Sequence, residues 1–122
     1  GETPIFNACK SGNVNLVKYL MEQHEEDINK ENIYGNTPLF STCGKGNENL
    51  VKYLIELGAD INKENNKGET PVFNACLNGN INIVKYLIEL GADINKANNK
   101  GETPIFNSFK NGNINLVKYL IE

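Results

Sequence analysis

The chain has 122 residues, of which 39% are hydrophobic and 22% charged, a length and composition typical of one globular domain. Its net charge is -3 and all twelve basic residues are lysines, so we expect no nucleic-acid partner, which would normally require a strongly basic face. No apolar run approaches the length of a bilayer span, so we expect no membrane insertion.

The cysteine count and the sequence motifs favour a reducing compartment. The three cysteines are an odd number, and no N-x-[ST] glycosylation acceptor occurs. Disulfide frameworks are common in secreted domains and rare in the cytosol. We therefore expect a cytoplasmic or otherwise intracellular location.

Four stretches of the chain repeat almost the same residues. They are GETPIFNACKSGN from Gly1, GNTPLFSTCGKGN from Gly35, GETPVFNACLNGN from Gly68 and GETPIFNSFKNGN from Gly101. They divide a single domain, 1–122, into repeats 1–34, 35–67, 68–100 and a partial repeat 101–122. The period is 33 residues, with one extra residue in the first repeat.

The first repeat ends irregularly. It reads QHEED around His24 where the second and third repeats read LGAD. Three acidic residues at a helix C-terminus oppose the helix dipole, so we expect the second helix of this repeat to end early. His24 is the only histidine and has no candidate nucleophile nearby, which favours a solvated loop over a catalytic site.

The third repeat best shows the pattern of its first helix. Thr70 can cap a helix whose first residue is Pro71, and Asn78-Gly79 can end it in a left-handed conformation. We expect its apolar side chains to be buried: Val72, Phe73, Ala75 and Cys76.

A second helix follows in the same repeat. Asn80 can cap it, Gly91 ends it, and the polar turn at 98–101 forms a projecting finger. Its apolar residues fall on one face of a 3.6-residue period: Ile83, Val84, Leu87 and Ile88. Both helices are shorter than the roughly 12–15 residues at which isolated helices become marginal, so the repeats must stack to be stable.

These residues resemble the ankyrin repeat family. The resemblance rests on the 33-residue period, on TPLF at 37–40 and on GADINK at 58–63 and 91–96, and it covers the whole chain. It implies an all-α solenoid of helix-turn-helix repeats with short projecting β-turn fingers. The histidine of the family motif is replaced by Phe6, Phe40, Phe73 and Phe106, for which we expect a row of buried rings.

Cys9, Cys43 and Cys76 recur in register, a pattern that raises the question of a metal or disulfide site. Packed helices lie about 8–10 Å apart, which exceeds the roughly 7 Å limit between the Cα atoms of a disulfide. We therefore expect free, buried cysteines that act as small hydrophobic residues, with no metal and no cofactor. Phe109 takes this position in the fourth repeat, so either its helix is displaced or its ring is partly exposed.

Tyrosines also recur in register, on the second helix of each repeat just before a core leucine: Tyr19, Tyr53, Tyr86 and Tyr119. We expect them to pack at the flank between repeats with the hydroxyl in water. With no catalytic set of residues in the sequence, we expect no enzymatic activity.

The predicted function is protein–protein interaction. The resemblance implies a partner bound along the finger tips and the inner face of the first helices. The residues that vary between repeats along this surface are the candidate contacts: Ile33, Tyr34, Asn66, Lys67, Leu77, Asn99 and Lys100. Ile33 and Tyr34 could instead pack against the irregular segment 23–27.

An alternative function is a structural spacer without a dedicated partner. The repeats are nearly uniform, and neither terminal repeat shows the polar outer face of a capping repeat. We therefore expect this sequence to be a piece of a longer array.

The resemblance also implies a possible modification. Ankyrin-like repeats can be hydroxylated at the asparagine after G-A-D-x, which is Asn62 or Asn95 here, with Asn29 as a weaker copy. The favoured alternative is that these side chains hydrogen-bond to the backbone of their own finger.

Overall fold

A computed structural model describes residues 2–24 and 26–121, without the side chain of His24. Within these residues the chain forms eight α-helices and no strand, which confirms the all-α prediction. The helices are α1 (Pro4–Ser11), α2 (Val14–His24), α3 (Pro38–Lys45), α4 (Glu48–Glu56), α5 (Pro71–Leu77), α6 (Ile81–Glu89), α7 (Pro104–Lys110) and α8 (Ile114–Ile121).

The helices form four pairs arranged in two layers. Each odd-numbered helix contacts the even-numbered helix that follows it, and the odd-numbered helices also pack in series from α1 to α7. The contact between α4 and α6 links the second layer. Repeated stacking thus supplies the burial that short helices cannot achieve alone.

The Thr-Pro pairs start the first helix of each repeat. The hydroxyls of Thr3, Thr37 and Thr103 accept hydrogen bonds of 3.2–3.3 Å from the backbone N–H three residues later. Thr70 also precedes its helix in an extended conformation, but its buried hydroxyl has no hydrogen-bond partner among the described residues. The predicted side-chain cap is therefore wrong at Thr70, where Pro71, whose ring presets the helical φ, starts the helix without it.

The second helices have a different capping pattern from the predicted one. Asn13 and Asn47 cap through Oδ1, which accepts from the backbone N–H of Leu16 and Leu50. Asn80 occupies the capping position of α6 but makes no side-chain cap. Its Nδ2 instead donates to the carbonyl of Cys43, 2.7 Å away in the preceding repeat, so this amide joins two repeats.

Helix α2 is longer than its counterparts, contrary to the expected early end. It has 11 residues, whereas α4 and α6 have nine each. Those two helices stop just before Gly58 and Gly91, which adopt left-handed φ angles of 99° and 97°. The first repeat has no glycine at this point, so the helix continues to His24. The His24 side chain and Glu25 lie outside the described residues.

One hydrophobic core runs through all four repeats. In the third repeat Val72, Ala75 and Cys76 are buried as predicted, while Ile88 is only partly buried. The aliphatic residues of the core that come from the helices are Ile5, Val17, Leu39, Leu50, Val51, Leu54, Val72, Ile83, Val84, Leu87 and Leu116.

The predicted row of buried phenylalanines covers three repeats only. Phe6, Phe40 and Phe73 are buried, but Phe106 is 49% exposed. Its ring lies on α7, against which no further helix pair packs within the described residues. Phe109 is 61% exposed, which confirms the second of the two outcomes expected for it.

The recurrent tyrosines lie at the flank between repeats. Tyr53, Tyr86 and Tyr119 are half-buried, and a lysine of the preceding repeat lies over each ring. The packing of these three tyrosines between repeats is as predicted, but the lysine contacts were not foreseen. Tyr19, for which the same packing was predicted, is 56% exposed.

Candidate protein-binding surface

Each finger is a turn held by an asparagine side chain. Asn32 Oδ1 accepts from the backbone N–H groups of Tyr34 (2.9 Å) and Asn36 (3.1 Å). Asn65 and Asn98 hold the next two fingers in the same way. Because an asparagine side chain can replace backbone partners in a turn, these fingers have a defined conformation without a β-sheet.

Two of the candidate contact residues join the fingers to one another. The backbone N–H of Asn66 donates to the Tyr34 carbonyl and its Nδ2 donates to the Ile33 carbonyl, both at 3.0 Å. Asn99 repeats the pattern one finger later, donating to the carbonyls of Lys67 (2.8 Å) and Asn66 (3.0 Å). The side-chain nitrogens of both asparagines therefore bond within the protein.

The glycine after each of the first two fingertips makes room for this link. Gly35 has a φ of +77°, and a Cβ placed on it would lie 2.5 Å from Asn66 Oδ1 and 2.8 Å from the Asn66 nitrogen. Gly68 meets Asn99 Oδ1 at the same 2.5 Å. A side chain at either position would collide with the next finger as well as strain the backbone.

Ile33 and Tyr34 form the most exposed apolar part of the fingers. Their exposed fractions are 71% and 63%. Side chains packed against the segment 23–27 would be far less accessible. Within the described residues of that segment, Glu26 Oε1 accepts a hydrogen bond from the backbone N–H of Ile5 at the start of α1.

The helix side of the candidate surface centres on Leu77, the last residue of α5. Leu77 is 38% exposed, and its carbonyl accepts from Asn111 Nδ2 of the next repeat. The equivalent position in α3 is Gly44, where an added Cβ would lie 2.5 Å from Asn74 Nδ2. The missing side chain at Gly44 is thus explained by the approach of α5.

The structure brings the candidate residues of the three fingers into one row. The side chains of Lys67 and Lys100 are exposed in this row and form no ion pair within the described residues. By contrast, Lys63 and Lys96, at the base of the fingers, pair with Glu31 at 2.8 Å and Glu64 at 3.6 Å. Leu77 lies on the helix layer and is not part of the finger row.

A row of carboxylates beside the fingers was missed in the sequence. Asn98 Nδ2 donates to Glu69 and Glu102, and Asn65 Nδ2 donates to Glu69 and Asn36. In the first repeat Glu2 accepts from Asn32 and pairs with Lys10, and these hydrogen bonds hold the pKa of Glu2 below its usual value. The only sequence signal was the residue between Gly and Thr-Pro, which is a glutamate in three of the four repeats: Glu2, Glu69 and Glu102.

The cysteines are free and buried, as predicted. Burial raises the pKa of Cys9 to about 11 and that of Cys76 to about 12, although hydrogen bonds with Thr42 and Ser108, respectively, oppose the shift. Burial also raises the pKa of Cys43. These thiols are therefore poor nucleophiles and poor metal ligands in the folded chain.

Among the described residues, no three His, Cys, Asp or Glu side chains are arranged to hold a metal ion. None of the described helices is both long enough and apolar enough to cross a membrane.

The candidate modification residues lie on exposed loops. The backbone N–H groups of Asn62 and Asn95 donate to Asp60 and Asp93, which are two residues earlier. In the described part of the chain, neither asparagine side chain forms a hydrogen bond with its own finger. The Asn29 side chain does form hydrogen bonds, but with Gly58 and Asp60 of the next repeat. Hydroxylation at Asn62 or Asn95 stays a prediction.

Comparison with known proteins gives the family. A family model described as ankyrin repeats (3 copies) matches residues 1–65 and 58–122. No curated protein matches the chain. Ankyrin repeats generally serve as protein–protein interaction modules and are generally not enzymes. The match spans the chain, and the helix pairs with projecting fingers agree with it, so the chain belongs to the ankyrin repeat family.

Proposed function

We propose that this chain binds a partner protein along the row of fingertips, with Ile33 and Tyr34 as the apolar anchor. The observation that carries the proposal is the exposure of both side chains, 71% and 63%, on a hydrogen-bonded backbone. Binding hot spots are enriched in tyrosine. A pre-organised anchor also loses less conformational entropy when a partner binds.

The remaining candidate residues suit the periphery of such an interface. Lys67 and Lys100 extend the row with charged side chains that stay accessible to solvent. Rim charges of this kind affect association rate and salt dependence more than affinity. Leu77 would add an apolar contact from the helix layer, whereas Asn66 and Asn99 would mainly keep the fingers in place.

The test is a selection of binders from a random peptide library displayed on phage, with the 122-residue chain as the target. Each selected peptide is titrated against wild-type protein, Tyr34→Ala, Leu77→Lys and the control Glu56→Ala, an exposed residue of α4. We expect Tyr34→Ala to weaken binding by about 30-fold, which corresponds to about 2 kcal/mol. Glu56→Ala should leave binding unchanged. Selected peptides that bind Tyr34→Ala as tightly as wild type would contradict the proposal.

The second candidate function is a structural spacer. It is supported by Asn66 and Asn99, because their side-chain amides form hydrogen bonds between fingers and are therefore not free to bind a partner. It predicts that selected binders will not converge on any one surface.

We also infer an intracellular location. Three unpaired thiols support it, because oxidising compartments favour disulfides.

A further inference from the structure

Two of the 22 asparagines are followed directly by glycine: Asn78 before Gly79 and Asn111 before Gly112. Asparagine is one of the chemically labile residues. Its side-chain Cγ can be attacked by the backbone nitrogen of the next residue, and glycine, which has no Cβ, presents that nitrogen with the least steric hindrance. The sequence therefore predicts that these two asparagines are the most reactive in the chain.

Both asparagines lie at the corner between the two helices of a repeat. Asn78 is the C-cap of α5 and Asn111 that of α7, and both are exposed to solvent. The glycines that follow them have φ angles of 72° and 71°, a left-handed conformation that favours glycine. The first two repeats make the same corner with Ser11 and Lys45 before the glycine, so the corner itself does not require asparagine.

The closed corner keeps the attacking nitrogen away from the side chain. The five-membered succinimide ring can form only when this nitrogen is nearly eclipsed with Cβ about the Cα–C bond. Asn78 and Asn111 have ψ angles of 3° and 0°, which eclipse it with the backbone nitrogen of the asparagine instead. The Gly79 nitrogen also donates to the Cys76 carbonyl at 3.2 Å, and the second corner has the same bond at 3.1 Å. The reaction therefore requires a local opening of the corner.

The side-chain amides of the two asparagines donate hydrogen bonds that a carboxylate could not replace. Asn111 Nδ2 donates to the Leu77 carbonyl of the third repeat at 2.9 Å. Asn78 Nδ2 donates within α5, to the backbone carbonyl of Asn74 at 2.9 Å and to its Oδ1 at 3.1 Å. An ionised carboxylate accepts hydrogen bonds and donates none, so both contacts depend on the amide.

We propose that Asn78 and Asn111 are sites of spontaneous deamidation, which react when their corner opens, and that the reaction at Asn111 loosens the contact between the third and fourth repeats. The glycine nitrogen gives its proton to hydroxide and bonds to Cγ of the asparagine. The bond between Cγ and Nδ2 breaks, and Nδ2 takes a proton from water and leaves as ammonia. A second water molecule then opens the ring to aspartate or isoaspartate.

Both products disturb the corner. A carboxylate on residue 111 faces the Leu77 carbonyl with no proton to share, and it puts a negative charge at the C-terminus of α7, where the helix dipole opposes it. Isoaspartate adds one carbon atom to the main chain, which changes the spacing of the backbone hydrogen bonds that close the corner. Each opening that leads to reaction therefore makes the next opening easier.

Incubation of the 122-residue chain in mildly alkaline buffer tests the reaction, with mass spectrometry of proteolytic peptides as the readout. The chain is compared in its folded state, in urea below the unfolding transition and fully unfolded. We expect a mass increase of about 1 Da at Asn78 and Asn111 before any other asparagine, with a rate that rises by about tenfold or more from the folded to the unfolded chain. The variants Asn78→Ser and Asn111→Ser should each remove one signal. Earlier reaction at another asparagine, equal rates in folded and unfolded chain, or no reaction in urea below the transition would overturn the proposal.

The loosening is tested with a variant that makes the same chemical change. Asn111→Asp should lower the melting temperature by several degrees, because it removes a hydrogen bond between repeats and adds a charge at the end of α7. The control Asn49→Asp adds the same charge at an exposed residue in the first turn of α4, where the helix dipole favours it, and should not lower the melting temperature. A melting temperature of Asn111→Asp equal to that of wild type would show that deamidation does not loosen the repeats.

Discussion

The ammonium nitrogen of Lys52 lies 5.4 Å from the centroid of the Tyr86 ring in the next repeat. Lys18 lies over Tyr53 at 5.4 Å and Lys85 over Tyr119 at 5.0 Å, so each boundary between repeats has the same cation–π contact. These contacts join successive second helices at the partly exposed surface, where few other interactions connect them.

This pairing should be measurable as an interaction energy. A double-mutant cycle with Lys52→Met and Tyr86→Leu should give a coupling of about 0.5–1 kcal/mol in the free energy of unfolding, measured by urea titration. The same cycle with Lys52 and Tyr53, which pairs with Lys18 instead, should show no coupling. Strictly additive effects of the first pair would refute the contact.

Leucines at one repeat position should contribute unequally to stability. Leu50→Ala removes a fully buried side chain and should lower the free energy of unfolding by about 2–5 kcal/mol. Leu16→Ala, at the same position of the first repeat but 41% exposed, should lower the free energy of unfolding by less than about 1 kcal/mol. Equal losses on chemical denaturation would mean that both leucines are equally buried in solution.

A comparison of two glycine variants distinguishes the effect of backbone strain from that of steric collision. Gly35→Ala and Gly58→Ala both place a Cβ at positive φ, but only the first meets Asn66, since nothing lies within 4 Å of the second. We expect both variants to lower the melting temperature, Gly35→Ala by several degrees more. A larger effect of Gly58→Ala would show that the finger link through Asn66 is not formed.

Because its thiols are buried, the protein should become less stable at alkaline pH. In the unfolded chain they ionise near pH 8.5, whereas burial raises the pKa of Cys9 to about 11 and of Cys76 to about 12. The folded chain therefore keeps protons that the unfolded chain loses, and the free energy of unfolding should fall as the pH rises above about 8.5.

Urea titrations at pH 7.5, 8.5 and 9.5 would measure this fall, and Cys43→Ala should make it shallower. A thiol reagent should also react slowly with native protein and rapidly after unfolding. Fast labelling of the native chain would contradict the burial of the cysteines.

Tyr34 and Asn66 are adjacent fingertip residues with different expected roles. Tyr34→Ala should weaken binding of a fingertip ligand by about 2 kcal/mol while leaving the melting temperature unchanged. Asn66→Ala should lower the melting temperature, because its amide bonds to the Ile33 carbonyl. Calorimetric titration and thermal unfolding of both variants would measure the two effects. A Tyr34 variant that loses stability but keeps its affinity would make this residue structural.

The repeated local signals predicted most of the fold. Thr-Pro pairs and glycines affect the backbone only within a few residues, and helical periodicity is read from one short segment. Most helix starts, helix ends and buried faces could therefore be derived without knowing which repeat packs alongside. The packing distance between helices indicated that the cysteines would not form disulfides, and their hydrophobic character predicted their burial. The positions of the fingertips could be located for the same reason, because their polar turn residues are also a local signal.

Contacts between repeats were decided by tertiary structure alone. The near-identical repeats gave no reason to expect that Asn47 caps its own helix while Asn80 does not, or that their amides donate to Gly12 and Cys43, respectively, of the preceding repeat. Nor could the local pattern at Phe106 show that its ring is exposed while Phe73 is buried. The sequence determined what each repeat forms, because its helices depend on local interactions. Only the stacked structure decided which side chains are buried and which amides join neighbours, because those outcomes depend on what lies against each face.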